Sequence, residues 1–494
     1  MKQHIENLIA YEIKQGIIHK RDYTYVKNQL YYLLKQDFNS DNLTPQPIHH
    51  PSDALNPILD ALITAGKLND SIIDRDLFDA KIMNIFASLP SVIESKFYTL
   101  HQSSKTAATD YLYNYAKSLN YIRYDRILKN KTFTYQSGDM KLQITINLSK
   151  PEKDPKDIIA ATKAQTSNYP LCVLCKENEG FSGNKKRDSR DQHRLIKLDL
   201  NNQPWYFQYS PYIYYNEHAI VLSDKHKPMH ITKSTFKNLL TLVDQFEGYF
   251  FGSNADLPIV GGSILSHDHY QGGKHKFPIE DAKVLQKWQI KDVSLAALDW
   301  PLSTIRLKSK SKSKMIDLAD NILTIWKTYD NEPLDIISQT NKTPHNTITP
   351  VARFKENYYE LDLILRNNRT SAAHPLGIFH PHSDKHHIKK ENIGLIEAIG
   401  LAILPARLLQ SITALKNYHF NQVHLDASSM IHKAWFDNFV QNYQITPDNF
   451  DTIIEFEIGK VFEAVLNDCG VFKQKDQLLF IQFIEDYIYE KHTY

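Results

Sequence analysis

Residues 256–273 constrain this chain more than any other stretch. A small, apolar run from Asp256, punctuated by Gly261 and Gly262, leads to His267, His269 and Gln271 at alternate positions. In an extended segment, residues i, i+2 and i+4 point to one face. The three side chains therefore line a single surface. Such a face suits one imidazole as a metal ligand, a second as a nucleophile, and an amide as hydrogen-bond partner for a phosphoryl group.

The rest of the composition narrows the class. At 494 residues the chain has room for two to four domains and a sizeable core. Basic and acidic side chains nearly cancel, 58 against 56. That balance argues against a protein held on nucleic acid by bulk charge, while leaving room for a local phosphate pocket. Three cysteines, Cys172, Cys175 and Cys469, make no disulfide framework. No apolar leader and no run near 18 apolar residues is present. A reducing, cytoplasmic location without membrane contact is the expectation.

Periodicity predicts α+β architecture. The first ~135 residues read as helices: Ile5, Leu8, Ile9 and Ile13 form one stripe, and Val26, Leu30, Leu33 and Leu34 a second with Asp22 at its N-cap. Further helical windows cover 74–88 and 106–119. Leu142, Ile144, Ile146 and Leu148 alternate with polar residues, a strand pattern ended by Pro151 and Pro155. A short helix is expected at 158–166. Strands are expected at 194–200, 205–209, 219–222 and 258–265, with a helix at 232–249 between the last two. The lysine-rich run 306–314 reads as a solvated segment between strands. A helix near 317–328 and a strand at 358–365 follow, and the chain from Lys389 on is mostly helical.

Cys172 and Cys175 stand at the spacing that lets two thiolates reach one tetrahedral ion. Alone, such a pair also fits redox chemistry or no role. His226, just after a predicted strand, and His267 are candidate imidazoles that would close a Cys2His2 site. His226 also reads as a surface histidine near His218 and His230. Gly261 and Gly262 permit close backbone approach to a ligand. Lys274 is placed to pair with a phosphate, and Arg366, Asn368 and Arg369 form a polar cluster after an apolar strand.

The stretch 256–273 resembles the signature of the class II galactose-1-phosphate uridylyltransferases, distant relatives of the histidine-triad nucleotide transferases and hydrolases. Pro151-Glu-Lys-Asp-Pro155, Cys172-Val-Leu-Cys175, Phe207-Gln-Tyr-Ser-Pro-Tyr212, Asn216-Glu-His218 and the stretch from His374 to His382 resemble the same family. The resemblance runs over most of the chain. It implies a histidine-triad-like antiparallel sheet core with flanking helices, a helical N-terminal region (1–135), a catalytic half (136–300) and a second, related half with a helical C-terminus that binds sugar phosphate (301–494).

The resemblance also implies chemistry. UMP would pass from UDP-glucose to galactose 1-phosphate by double displacement through a uridylyl-histidine, as part of galactose metabolism. His269 takes the place of the family's nucleophile, and Gln271 that of the amide on the phosphoryl oxygens. Cys172, Cys175, His226 and His267 resemble the zinc ligands of the class I relatives, and four protein ligands make that zinc structural. A homodimer is implied by analogy. The class I motif reads His-Pro-His, whereas this chain has His267-Asp-His269. Alternation turns Asp268 off the catalytic face, and a carbonyl of the motif, rather than a carboxylate, is expected to orient the nucleophile's other nitrogen. The class I iron site is expected to be missing, because 361–366 lacks its histidines and glutamate. His380, His382, His386 and His387 also suggest a second metal site. His380-Pro-His382 mimics the nucleophile motif but has Asp384 where glutamine belongs, so it reads as a binding element.

Two other functions fit parts of the pattern. On the same core, a nucleotide hydrolase or dinucleotide phosphorylase would resolve the nucleotidyl-histidine with water or orthophosphate. A zinc-ribbon nucleic-acid module would use the cysteine pair and the 306–314 tract, but that tract is short and the net charge is near zero.

Overall fold

The computed structural model describes residues 1–38, 43–149 and 169–493. The motif at 151–155 and the helix expected at 158–166 lie outside them. The fold mixes helices with antiparallel sheet, as expected. No helix among the described residues is long and apolar enough to cross a membrane.

The chain packs as two compact units, one of residues 1–129, 149–213 and 217–226, the other of 130–148, 214–216 and 227–494. The first unit opens with six helices: Lys2–Lys14, Tyr23–Leu33, Ser52–Thr64, Ile72–Asn84, Pro90–Ser103 and Lys105–Ser118. Local signals set their ends. The Ser71 and Ser104 hydroxyls accept hydrogen bonds from the amides of Asp74 and Ala107, and Pro90 opens its helix where no amide hydrogen is needed. Asp22 precedes the second helix, but its carboxylate accepts from the His19 amide in a preceding 3-10 turn. Ile5, Leu8, Ile9, Val26 and Leu30 are buried, which is the packing their spacing predicts. Three antiparallel strands, Ile196–Asp199, Pro204–Tyr209 and Ala219–Ser223, complete this unit. The Tyr209 hydroxyl donates to the Thr109 carbonyl, tying strand to helix.

The second unit is built on seven antiparallel strands, here in spatial order: His269–Gly273, Phe250–Gly252, Asn346–Lys355, Tyr358–Asn367, Thr304–Ser309, Val293–Leu298 and Val284–Ile290. Helices Lys233–Gln245 and Lys312–Lys327 pack against this sheet. A separate sheet joins Lys131–Ser137 and Met140–Asn147 to Leu401–Pro405, the last in parallel, with helix Phe450–Cys469 packed on it.

Two expectations need correction. Residues 258–265 form no strand. Turns and bends run through them, Ile259 has a φ of +73°, and a lone bridge joins Gly261 to Ala255. Proline and paired glycines favour the turn over the ladder. The 306–314 run is not a solvated segment between strands either. Arg306 and Lys308 lie within the strand Thr304–Ser309, and Ser311 caps the helix Lys312–Lys327. Arg306 is half-buried, and Asp362, itself 0% exposed, binds it at 2.6 and 2.9 Å and also accepts two bonds from Arg353 at 2.8 Å. Burial alone would raise the Asp362 pKa; the two guanidiniums override it and hold the group below its usual range.

Candidate active site

The loop that carries the histidines is pinned at several points. Asp256 accepts from the Thr347 hydroxyl at 2.5 Å and from the Ile231 amide at 2.9 Å. Asn254 accepts from the Leu395 amide at 2.8 Å. The amide of Asn368 donates to the Pro258 carbonyl at 3.2 Å. A Cβ on Gly261 would lie 2.5 Å from the Ala255 carbonyl, and one on Gly262 would lie 2.5 Å from the Asn254 amide nitrogen. Both glycines are therefore required by the loop's contact with its own chain. Sequence reasoning missed the Asp256 and Asn254 anchors. An acidic residue directly before a Leu-Pro turn was the available signal.

The strand begins at His269, so His267 stands just ahead of the ladder. Gln271 pairs in register with Gly252. Tyr270 turns the other way and its hydroxyl accepts from Asn238 of helix Lys233–Gln245. His269 and Gln271 thus share the opposite face, the first buried and the second half-buried. Asp268 points to Lys227: its amide donates to the Lys227 carbonyl at 2.7 Å, and its carboxylate lies 3.5 Å from the Lys227 ammonium.

His269 Nδ1 lies 2.8 Å from the carbonyl oxygen of His267. A carbonyl only accepts, so Nδ1 carries the proton and Nε2 keeps its lone pair. Burial pushes the pKa of this histidine down to about 4, against a smaller raising effect of the carbonyl bond. At neutral pH the imidazole is uncharged and singly oriented. The motif carbonyl expected from the sequence is therefore that of His267.

The ligand atoms of Cys172, Cys175, His226 and His267 all lie within 4.8 Å of one another. The two sulfurs are 3.5 Å apart, and Cys175 Sγ is 3.3 Å from His226 Nδ1. Bond lengths of about 2.3 Å to sulfur and 2.0 to 2.1 Å to nitrogen around one tetrahedral zinc require edges of about 3.3 to 3.8 Å. The donor set and spacing fit such an ion. Amides of Cys172 and Leu174 point at the sulfurs, each at 3.4 Å, and Asn178 clamps the turn through the carbonyls of Cys172 and Cys175.

The residues expected to bind substrate are placed differently from one another. Lys274 is half-buried beside Gly248. Arg369 bonds Asp335 at 2.5 Å and is a quarter exposed. Asn368 Oδ1 also accepts from His345 Nδ1 at 2.8 Å. Arg366 is 1% exposed and donates to the Ile393 carbonyl at 2.9 Å, so it sits inside the second unit rather than on a ligand-facing surface.

The family models of galactose-1-phosphate uridyl transferase match this chain, the N-terminal domain over residues 18–228 and the C-terminal domain over 242–437. A galactose-1-phosphate uridylyltransferase of Clostridium acetobutylicum is 48% identical over 481 residues, which cover 95% of this chain and 96% of that one. One from Clostridium perfringens is 46% identical over 484 residues, 96% of each chain. Among solved structures, yeast Ap4A phosphorylase Apa2 aligns with 60% of this chain and 90% of its own at 12% identity and a TM-score of 0.31. So weak a likeness does not bear on the reaction.

Proposed function

Because the chain belongs to the galactose-1-phosphate uridylyltransferase family and moves UMP from UDP-glucose to galactose 1-phosphate, we propose that His269 is the nucleophile and that transfer runs by double displacement. His269 Nε2 attacks the α-phosphorus of UDP-glucose. The N–P bond forms as the P–O bond to glucose 1-phosphate breaks, and glucose 1-phosphate leaves. A phosphate oxygen of galactose 1-phosphate then attacks the same phosphorus, the N–P bond breaks, and UDP-galactose departs. The observation that carries this reading is the bond from Nδ1 to the His267 carbonyl, which leaves the lone pair on Nε2.

Gln271, on the same strand face, donates to the phosphoryl oxygens, where its bond gains strength as charge builds in the transition state. Lys274 and Arg369 serve the phosphates. The positions of Gly261, Gly262, Arg366 and Asn368 support a role in holding the loop and the sheet rather than in touching substrate. Cys172, Cys175, His226 and His267 hold zinc, which when bound supplies position only, since four protein ligands leave no open site. The absence of a disulfide among Cys172, Cys175 and Cys469 supports a reducing, cytoplasmic location, and the family analogy supports a homodimer.

Isotope exchange tests the double displacement. Enzyme, UDP-glucose and labelled glucose 1-phosphate, without galactose 1-phosphate, should place label in UDP-glucose. Absence of exchange in an enzyme that still makes UDP-galactose would require direct transfer.

A further inference from the structure

Two imidazoles of the second unit stand outside the chemistry above. His387 follows the short turn Ser383–Lys385, and His432 precedes helix Lys433–Val440. His387 Nδ1 lies 3.0 Å from the Asp384 carbonyl, so it carries the ring proton and Nε2 is left as a lone pair. That Nε2 is buried and has no hydrogen-bond partner among the described residues. His432 is 3% exposed, and its Nδ1 is likewise buried without a partner. A buried polar atom left in this state is destabilising, and here two such atoms occur on neighbouring rings.

The rings face each other edge-on, with centroids 5.7 Å apart and planes at 77°. Two imidazoles that share one ion through nitrogen bonds of about 2.0 to 2.1 Å put their centroids about 5 to 6 Å apart. A ring whose other nitrogen donates to a main-chain carbonyl is the arrangement metal-ligating histidines adopt. We propose that His387 Nε2 and His432 Nδ1 bind a divalent cation of imidazole affinity, such as zinc or nickel, with water in the remaining positions. Arg407 faces His432 and opposes a cation, while the Asp384 carboxylate beside His387 favours one. The balance sets a weaker site than the Cys2His2 group. A bound ion would staple the turn at 383–387 to helix Lys433–Val440. This site differs from a strand-built one, because neither ligand lies on a strand.

Trp435 supplies the readout, with its ring 5.3 Å from His387 and 6.4 Å from His432. Zinc-replete full-length protein would be titrated with nickel while tryptophan emission is followed. A saturable quench is expected in wild type, and its loss or an at least tenfold weaker midpoint in His387→Gln and in His432→Gln. Trp435→Phe should remove the quench while nickel binding by calorimetry persists. His387 is the less buried of the pair, so if His432→Gln fails to fold by circular dichroism, His387→Gln and Trp435→Phe still decide. No saturable quench in wild type would overturn the site. So would a quench unchanged in either folded histidine variant.

Discussion

Among single residues, His269 and its neighbours in the strand His269–Gly273 matter most to the proposed chemistry. His269→Ala should lower kcat by at least about 10^4-fold in a coupled UDP-galactose assay, with the fold intact. Gln271→Ala should cost about 10^2 to 10^3 in kcat with little change in KM, because its bond matures in the transition state. Equal losses in binding and turnover would contradict that role. Gly272→Ala tests packing instead: a Cβ there would lie 2.3 Å from a Phe251 ring carbon, so a loss of about 1 to 3 kcal/mol in denaturant melts is expected. His193 gives a pH signature. Its ring stacks on Tyr121 at 4.1 Å, bonds Gln208 at 2.8 Å, and is pushed down to about 3, chiefly by burial. The unfolded chain, with a histidine pKa of about 6.5, then binds one more proton than the folded one between those values. This residue's contribution is full above pH ~6.5 and falls by at most about 1.4 kcal/mol per pH unit down to pH ~3. His193→Gln should flatten that acid limb, and an unchanged limb would contradict the buried neutral ring. The shared face of His269 and Gln271 was legible in sequence because strand alternation puts residues two apart on one side. Arg366 was not, since a polar residue after an apolar run does not reveal whether its side chain turns inward.

Among elements, the Cys172, Cys175, His226 and His267 group is the sharpest case. Cys172→Ser should lower bound zinc, measured by mass spectrometry, from about one ion per chain toward none, and lower the Tm. Full metal content in that variant would refute the ligand set. The cysteine pair was readable from spacing, while its partners His226 and His267 needed the order of the family pattern. Helices were the most legible elements: the stripe of Ile5, Leu8 and Ile9 and the helix Lys233–Gln245 both emerged from a 3.6-residue period. The false strand at 258–265 shows the limit. Its apolar residues mimic a strand, but the loop is shaped by Asp256, Asn254 and two glycines packed on their own chain. Likewise, the 306–314 lysines hid a strand whose Arg306 is neutralised from within.

Across the whole molecule, the two compact units are each assembled from separated stretches of chain. Met140–Asn147 belongs to the second unit because Leu401–Pro405 pairs beside it in parallel. A parallel pairing across so long a connection leaves no local trace, so divisions at 135 and 300 follow the linear pattern and not this packing. Within the second unit, Asp362 neutralises Arg306 and Arg353 at the sheet's centre. Asp362→Ala should therefore cost about 3 to 5 kcal/mol of stability, since it strands the buried charge of Arg353 and the half-buried one of Arg306; a loss under about 1 kcal/mol would show that the network carries little. Activity is a property of the intact chain, and it is tested most directly by intact-protein mass after incubation with UDP-glucose alone. An added uridylyl group is expected on the wild type, absent in His269→Ala and discharged by galactose 1-phosphate. An adduct that survives in His269→Ala, or no adduct in an enzyme that still forms UDP-galactose, would contradict transfer through His269.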